Sequence, residues 1–577
     1  MLKIVQSRYL ILLAACALGV AGCGKSDEEK EPSPLNDAAG LLRYVPADTP
    51  YVFGTLAPPP DKFMDKIEPT LDRVLAAYSD MLGAAVADGL AESEGDSEEA
   101  EKINAVVQEL RSLMSLEGLR DAGVTRESTF VLYGNGLLPV ARVSLSDGSL
   151  FDDAITRIEA KAGEQLSVAE VDGMPYRFIE DEGVRVIVAT AGDQLVLTIA
   201  PDSLDDAALA RLLGLKLPTK NIAQTGKLLE IAEEYGYLHD YVGLVDTVRL
   251  ADTFIDEPGD LDALLLEMAG YDAAALSDEC KAEFRTLAAI MPRIVTGYEE
   301  VSAERVRSHA AVELRDDIAA EVSTFVSPVP GLGAIYEGLL SFGMSLNIEA
   351  VWSFFDKQVA ALEEDPWECE HLSDLQDGLF AARDQALAQP VPPVVYDFHG
   401  FLGVVNELEG FDPGKKQPPE SIDASFLLAI DNAQGLVAMG QAMIPQLAEL
   451  TIEPDGKAHQ FELPDTGSGA ETAWVALQES AIALSVSEDG ETALPALLAA
   501  EGTTPPPFMS IGLDGEQYYK LIGDAMRASD DEEMSEEMRA GVSKLLVAAA
   551  ELYERLQVDV TFTERGIEMD SDVTLAD

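Results

Sequence analysis

Basic residues are scarce in this chain of 577 residues, which has 39 Lys and Arg, 104 Asp and Glu, and a formal charge of -65. Nucleic-acid binding relies on a basic surface that displaces counterions, so the charge excludes a nucleic-acid partner. It also excludes a polybasic protein of the membrane surface. Hydrophobic residues make up 47% of the chain and charged residues 25%. These are ordinary globular values, so the acidic chain is still predicted to fold.

Long hydrophobic runs are also missing. No stretch approaches the roughly 20 apolar residues that a membrane-spanning helix needs. The apolar run at residues 9–20 is shorter and follows Lys3 and Arg8, a pattern typical of an export signal. We therefore expect residues 1–22 to be a signal peptide and the remainder to contain no spanning segment.

The end of this signal carries a short motif. Val20-Ala21-Gly22-Cys23 resembles the lipobox of bacterial lipoproteins, in which small residues precede a cysteine that is acylated and becomes the mature N-terminus. The resemblance implies lipid attachment at Cys23 and contact with a membrane through that lipid. Gram-negative lipoproteins retained at the inner membrane usually have Asp after this cysteine. Here the residue is Gly24, so the resemblance implies the outer membrane, with the protein facing the periplasm.

Polar stretches predict segments without regular structure. Residues 23–39 hold few apolar side chains, so we expect a disordered tether that holds the folded part off the bilayer. The acidic stretch 91–101 and residues 415–419 are predicted to be exposed loops. The acidic run 530–533 lacks the ligand spacing of a calcium loop, and weak binding of divalent cations there is left open.

Cysteine is nearly absent, with four in the chain. Cys16 would leave with the signal and Cys23 would carry the lipid, so Cys280 and Cys369 remain. In an oxidising periplasm two thiols most simply form one disulfide, here closing a loop of 89 residues. The alternative is a zinc or nucleophile site, but neither cysteine has a Cys-x-x-Cys partner.

The common catalytic motifs are missing as well. The chain contains no Gly-x-Ser-x-Gly elbow, His-Glu-x-x-His helix, P-loop or dinucleotide fingerprint. Its five histidines are scattered singly, at His239, His309, His371, His399 and His459. The sequence therefore predicts no catalytic residue, no cofactor and no metal ligand.

A few acid and histidine pairs remain as alternatives. Asp397 and His399 would share a face if their segment is a strand, whereas His239-Asp240 are adjacent and would rarely face each other. A hydrolase could also use carboxylates such as Asp172 or Asp246, brought together only by the fold.

The two halves of the chain share an order of motifs. Phe53-Gly54 aligns with Phe342-Gly343, and residues 186–199 align with 473–486. Asp172-Gly173 matches Asp455-Gly456 at a similar offset, and Glu304-Arg305 matches Glu564-Arg565 at an offset that insertions in the first half reduce. A repeat this long predicts two duplicated domains rather than a solenoid.

The hydrophobic pattern predicts the fold class. Ala141 and Val143 alternate with Arg142, and Ala310 alternates with its neighbours, as in half-buried antiparallel strands. Segments such as 151–158 show helical spacing instead. We predict an α+β protein with two tandem duplicated domains, at 40–315 and 316–577, each an antiparallel sheet with packed helices. A bridge from Cys280 to Cys369 would then join the domains.

The start of the first domain offers a second resemblance. Val45-Pro46-Ala47-Asp48-Thr49-Pro50, followed by a predicted strand at 51–56, resembles the opening of large bacterial envelope proteins known as domains of unknown function. The family implies an envelope location and no site.

Together these features predict an outer-membrane-anchored envelope lipoprotein that acts as a non-catalytic binding or structural module. Its partner could be an envelope protein, a glycan or a lipid. The alternatives are a periplasmic hydrolase with a carboxylate site and a chaperone that binds lipids or peptides.

Overall fold

The computed structural model describes residues 34–36, 40–92, 97–255, 260–272, 275–388, 392–410, 419, 421–443, 445–463, 472–528 and 535–577. The predicted signal peptide, Cys23 and the acidic run 530–533 lie outside these residues. Residues 93–96 and 415–418 of the predicted loops lie outside them too.

Nineteen strands form one antiparallel sheet in the described part of the chain. In residues 40–315, the first half, the strands are β1 (Tyr51–Thr55), β2 (Phe130–Asn135), β3 (Leu138–Ser144), β4 (Ser167–Val171), β5 (Met174–Asp181), β6 (Val184–Thr190), β7 (Gln194–Pro201), β8 (Tyr241–Asp246), β9 (Arg293–Val301) and β10 (Arg305–Glu313). In residues 316–577, the second half, they are β11 (Leu340–Ser345), β12 (Phe398–Glu409), β13 (Ser421–Ile430), β14 (Ala458–Glu462), β15 (Thr472–Gln478), β16 (Ala481–Ser485), β17 (Met509–Asp514), β18 (Tyr553–Thr563) and β19 (Gly566–Leu575).

Helices connect these strands and confirm the α+β prediction. In the first half they are α1 (Asp61–Glu92), α2 (Ser97–Leu113), α3 (Leu116–Asp121), α4 (Gly148–Ala162), α5 (Asp206–Leu212), α6 (Lys227–Tyr235), α7 (Thr247–Ile255), α8 (Asp260–Met268) and α9 (Asp278–Ala288). In the second half they are α10 (Asp316–Val322), α11 (Ile348–Glu364), α12 (Ser373–Ala388), α13 (Pro393–Tyr396), α14 (Ala433–Met443), α15 (Pro445–Ala448), α16 (Gly490–Ala499), α17 (Gly515–Ala528) and α18 (Glu536–Leu552).

The strand order is the same in both halves when it is followed outward from the centre of the sheet. In the first half it is β10-β9-β8-β1-β2-β3-β7-β6-β5-β4. In the second half it is β19-β18-β17-β11-β12-β13-β16-β15-β14, which lacks only a counterpart of β4. Phe53-Gly54 and Phe342-Gly343 occupy the corresponding strands β1 and β11.

The two halves share one sheet, whereas the sequence predicts a sheet in each domain. Strand β10 pairs with β19 over nine residues, from Arg305 opposite Thr574 to Glu313 opposite Gly566. We call this pairing the seam. It forms because each half ends in a hairpin whose last strand would otherwise leave its backbone N–H and C=O groups unpaired.

The predicted alternation is wrong in two strands. Arg142 was expected to face solvent, yet it is fully buried because β3 has a covered face on each side: Val140 and Val143 belong to different hydrophobic clusters. In β10 the buried positions are the opposite of those predicted, because His309 and Ala311 are buried while Ala310 is only partly covered.

The predicted tether is ordered over part of its length. Residues 34–36 form a 3-10 turn, and the side chain of Leu35 is 1% exposed within the hydrophobic cluster that includes Ile222 and Leu228. The folded first half therefore begins before residue 40.

Candidate functional site

A buried polar network lies at the middle of the seam. Nε2 of His309 on β10 lies 3.2 Å from Oε2 of Glu568 on β19, and Nδ1 of His309 lies 2.6 Å from the hydroxyl of Tyr237. An ionised carboxylate only accepts hydrogen bonds, so Nε2 is assigned the hydrogen. The Tyr237 hydroxyl can then donate to Nδ1.

Further donors surround the same carboxylate. Thr563 donates to Glu568 at 2.7 Å, and the Arg565 guanidinium donates to both of its oxygens at 2.9 and 3.1 Å. Burial alone would raise the pKa of Glu568, but the hydrogen bonds from His309, Thr563 and Arg565 outweigh it and lower the pKa to about 2. Burial is the main cause that raises the pKa of Tyr237. Glu568 is thus a stable anion and Tyr237 a stable donor.

This network is inaccessible to a substrate. Tyr237, His309 and Glu568 are each less than 10% exposed, and their polar atoms are directed at one another. The network therefore joins the two halves of the protein and does not form an open active site.

A disulfide joins the halves at a second point. Cys280 on α9 is bonded to Cys369, which precedes α12, and the sequence prediction of this pair is confirmed. The carboxylate of Glu283, one turn along α9, accepts hydrogen bonds from the backbone N–H groups of Glu368 and Cys369 at 2.7 and 3.0 Å. Both cysteines are buried.

A polar cavity of about 290 Å³ lies where β1 begins and β2 ends in the first half. The loop before β1, the β2–β3 turn, α5, α7 and the start of α8 surround it, and its polar lining is Asp48, Asn135, Arg211, Arg249, Thr253 and Asp262. We call it the first-half pocket. Its volume is close to the lower limit of about 300 Å³ for small-molecule sites.

Two of its charged side chains form an ion pair and two do not. Arg249 donates to a carboxylate oxygen of Asp48 at 2.8 Å. Arg211 is exposed and forms no ion pair with any residue that the structure describes. Asp262 is 8% exposed and accepts a hydrogen bond from the backbone N–H of Leu137 at 2.7 Å, with no basic partner at ion-pair distance in the described chain. Burial raises the pKa of Asp262.

The pocket chemistry is not repeated in the second half. Asp246 and Asp514 occupy equivalent strand ends, and each accepts a hydrogen bond from the backbone N–H three residues later. That residue is Arg249 in the first half and Gln517 in the second. Helix α16, which takes the place of α5 and Arg211, contains no basic residue.

A second cavity of about 290 Å³ lies between α1 and the helices α17 and α18. Its lining is also charged, but Asp80 pairs with Lys544 and Arg111, and Arg73 pairs with Glu551. These pairs satisfy the charges within the protein, so this cavity is a weaker candidate than the first-half pocket.

The carboxylates suggested for a hydrolase do not meet. Asp172 lies in the β4–β5 turn, at the outer edge of the first half, 3.5 Å from Lys216. Asp246 ends β8, toward the centre of the sheet, and its carboxylate accepts from Lys227 at 2.6 Å. Each acid therefore has its own lysine.

One of the two histidine pairs has a different partner in the structure. Nε2 of His399 on β12 lies 2.8 Å from Oδ1 of Asp431, which was not part of the suggested Asp397 and His399 pair. His239-Asp240 lie in the turn before β8, where the backbone carbonyl of Asp240 accepts from Leu56. Among the described residues, no group of three or more His, Cys, Asp or Glu side chains is placed to hold a metal ion.

No known family description, curated protein or solved structure matches the chain. None of the described helices is both long and apolar enough to cross a bilayer. The pocket residues Arg211, Arg249 and Asp262 come from three helices and form no sequence motif, so no pattern in the sequence identified them.

Proposed function

We propose that the protein is a lipid-anchored, non-catalytic binding or structural module of the bacterial cell envelope. The Cys280–Cys369 disulfide carries the proposal. Structural disulfides persist in oxidising compartments outside the cytoplasm. The same bond connects the two halves, which the seam already joins. This supports a rigid body over an enzyme that closes two lobes around a substrate.

The anchoring part of the proposal rests on Cys23 and the lipobox resemblance. With Gly24 after the cysteine, it includes transfer to the outer membrane. Metabolic labelling with palmitate should label the chain, and Cys23→Ala should lose the label and leave the outer-membrane fraction. Cys16→Ala, which changes a cysteine inside the predicted signal, is the matched control and should keep both. Label that persists in Cys23→Ala would contradict the proposal.

The duplication is also part of the proposal. It is supported by the shared strand order and by the positions of Phe53-Gly54 and Phe342-Gly343 in corresponding strands. Superposition of the two halves should pair β1 with β11 and β10 with β19. If the halves superpose better with their strands matched in another order, they are unrelated folds and the duplication is contradicted.

An apolar notch on the second half favours one second candidate, a chaperone for acyl chains. Phe342 and Phe426 lie on either side of Gly403 in adjacent strands and are 37% and 43% exposed. A side chain at Gly403 would meet only a backbone oxygen at 3.7 Å, so the space between the two rings is open. Phe401 extends the wall, with ring centroids 5.6 Å from Phe342 and 6.0 Å from Phe426.

The notch can be tested with a fluorescent probe. If it takes acyl chains, a fluorescent fatty acid should bind the wild-type chain, and Gly403→Leu should weaken this binding by filling the notch. Gly378→Leu is a matched control, because Gly378 lies on α12 with no atom near its added side chain. Equal binding by all three proteins would remove this candidate.

A further inference from the structure

We infer that the first-half pocket binds a small zwitterion of the amino-acid class, with its carboxylate on Arg211 and its ammonium group on Asp262. The inference deepens the proposed binding role and rests on it. Two lining side chains of opposite charge that form no ion pair with the described residues are the observation that points to such a ligand.

Arg211 supplies the site for the anionic group. Most described arginines pair with a carboxylate, among them those at positions 73, 111, 126, 157, 177, 293 and 305. Arg142 and Arg555 instead donate to neutral groups, whereas Arg211 lines a cavity without an ion pair to the described residues. A guanidinium group presents parallel N–H donors that fit a carboxylate in a bidentate arrangement.

Asp262 supplies the site for the cationic group. The β2–β3 turn packs so closely on its carboxylate that a side chain at Gly136 would lie 2.1 Å from Oδ1. The N–H of Leu137 satisfies Oδ1, while no donor to Oδ2 is seen in the described residues. Asp262 lines the pocket, so an ammonium group bound there could donate a charge-assisted hydrogen bond to Oδ2.

The rest of the lining favours a small polar ligand. The Asp48–Arg249 pair is neutral as a unit, and Asn135 adds an amide that can both donate and accept. The four charged side chains sum to zero, so a zwitterion leaves the pocket neutral, whereas a simple anion or cation does not. The volume of about 290 Å³ suits a ligand the size of an amino acid or a short peptide.

The test uses three small probes that share the alanine side chain, with the full purified chain in detergent. L-Alanine carries both charges, N-acetyl-L-alanine lacks the ammonium group, and L-alaninamide lacks the carboxylate. Saturation-transfer NMR should show binding of L-alanine at millimolar concentration and at least about tenfold weaker binding of the other two, since each loses a charge-assisted contact. Equal binding of N-acetyl-L-alanine, or no binding of L-alanine, would overturn the inference.

Variants assign each charge to its residue. Arg211→Gln should lower the affinity for L-alanine about tenfold and leave the affinity for L-alaninamide unchanged. Asp262→Asn, which keeps an acceptor for Leu137, should also lower the affinity for L-alanine about tenfold but leave the affinity for N-acetyl-L-alanine unchanged. Arg157→Gln, an exposed arginine on α4 that pairs with Glu109, is the control and should bind as wild type. The assignment is contradicted if both variants still bind L-alanine more tightly than the two probes that carry one charge. Binding by the purified chain does not require the lipid, so failure here leaves the anchoring proposal untouched.

Discussion

His309 and Glu568 are 259 residues apart in the chain, yet their side chains meet across the seam at 3.2 Å, with 5% and 7% of their surfaces exposed. They belong to different halves, so their contact depends on correct pairing of β10 with β19. The stability of the whole sheet should therefore be sensitive to this one pair.

Removal of the Glu568 carboxylate should destabilise the protein strongly. Glu568→Ala leaves Arg565 and the buried His309 ring without their acceptor, and a buried donor left unsatisfied typically costs about 1–3 kcal/mol. Urea denaturation would measure the loss. The control is Asp572→Ala on the same strand, whose side chain is 27% exposed against 9% for Glu568, and it should cost about 1 kcal/mol or less. Similar losses in both variants would show that burial at the seam is unimportant.

The same carboxylate should make stability depend on pH. The pKa of Glu568 is about 2 in the folded protein, below its ordinary value of 4.5, so its contribution is complete above about pH 5 and disappears as the pH falls toward 2. The difference in unfolding free energy between wild type and Glu568→Gln should shrink over this range by on the order of 3 kcal/mol. A difference that stays constant would mean that Glu568 is not held as an anion.

Reduction of the disulfide should also lower stability. The bond closes a loop of 89 residues, which corresponds to about 4–5 kcal/mol of chain entropy in the unfolded state. Urea denaturation with and without reductant would measure this loss. A variant with both Cys280→Ser and Cys369→Ser is the control, since reductant should not affect it. Peptide mapping that finds both thiols free in the native protein would contradict the pairing and weaken the argument for a rigid body.

Substitutions at two glycines distinguish the cost of backbone strain from the cost of a steric clash. Gly214 and Gly236 have similar positive φ values of 78° and 75°, but a side chain at Gly214 would lie 2.2 Å from the buried guanidinium of Arg142, whereas Gly236 has open space. Gly236→Ala should cost about 1 kcal/mol for its left-handed conformation. Gly214→Ala should cost at least about 2 kcal/mol more, because Arg142 must also move. Thermal denaturation of the two variants would decide, and equal costs would refute the tight packing.

The sequence predicted features that depend on local pattern or on elimination. Strands, helices and the α+β class follow from periodicity, and the Cys280–Cys369 pair follows because the other two cysteines have other expected fates. The seam could not be predicted, because hydrogen bonding between β10 and β19 depends on backbone groups that every residue has. Alternation does not show the burial of Arg142, because it indicates one apolar face, while packing of the other face depends on Tyr133 of the neighbouring strand β2 and on Tyr44 from a distant segment.

The candidate site was harder to predict than the fold. Arg211, Arg249 and Asp262 lie on three separate helices, and the sequence pattern of each helix does not set them apart from its other charged residues. Only the convergence of α5, α7 and α8 at the strand ends shows that a cation and an anion without ion pairs to the described residues share a cavity.

The seam has the geometry of a homodimer interface within one chain. Under the duplication that we propose, β10 and β19 are equivalent edge strands that pair about a pseudo-twofold axis near His309. A single ancestral half would have exposed this edge and tended to pair with a second copy of itself. Fusion of two copies fixes the stoichiometry at two and allows the halves to diverge, so one can gain a charged pocket while the other gains an apolar notch.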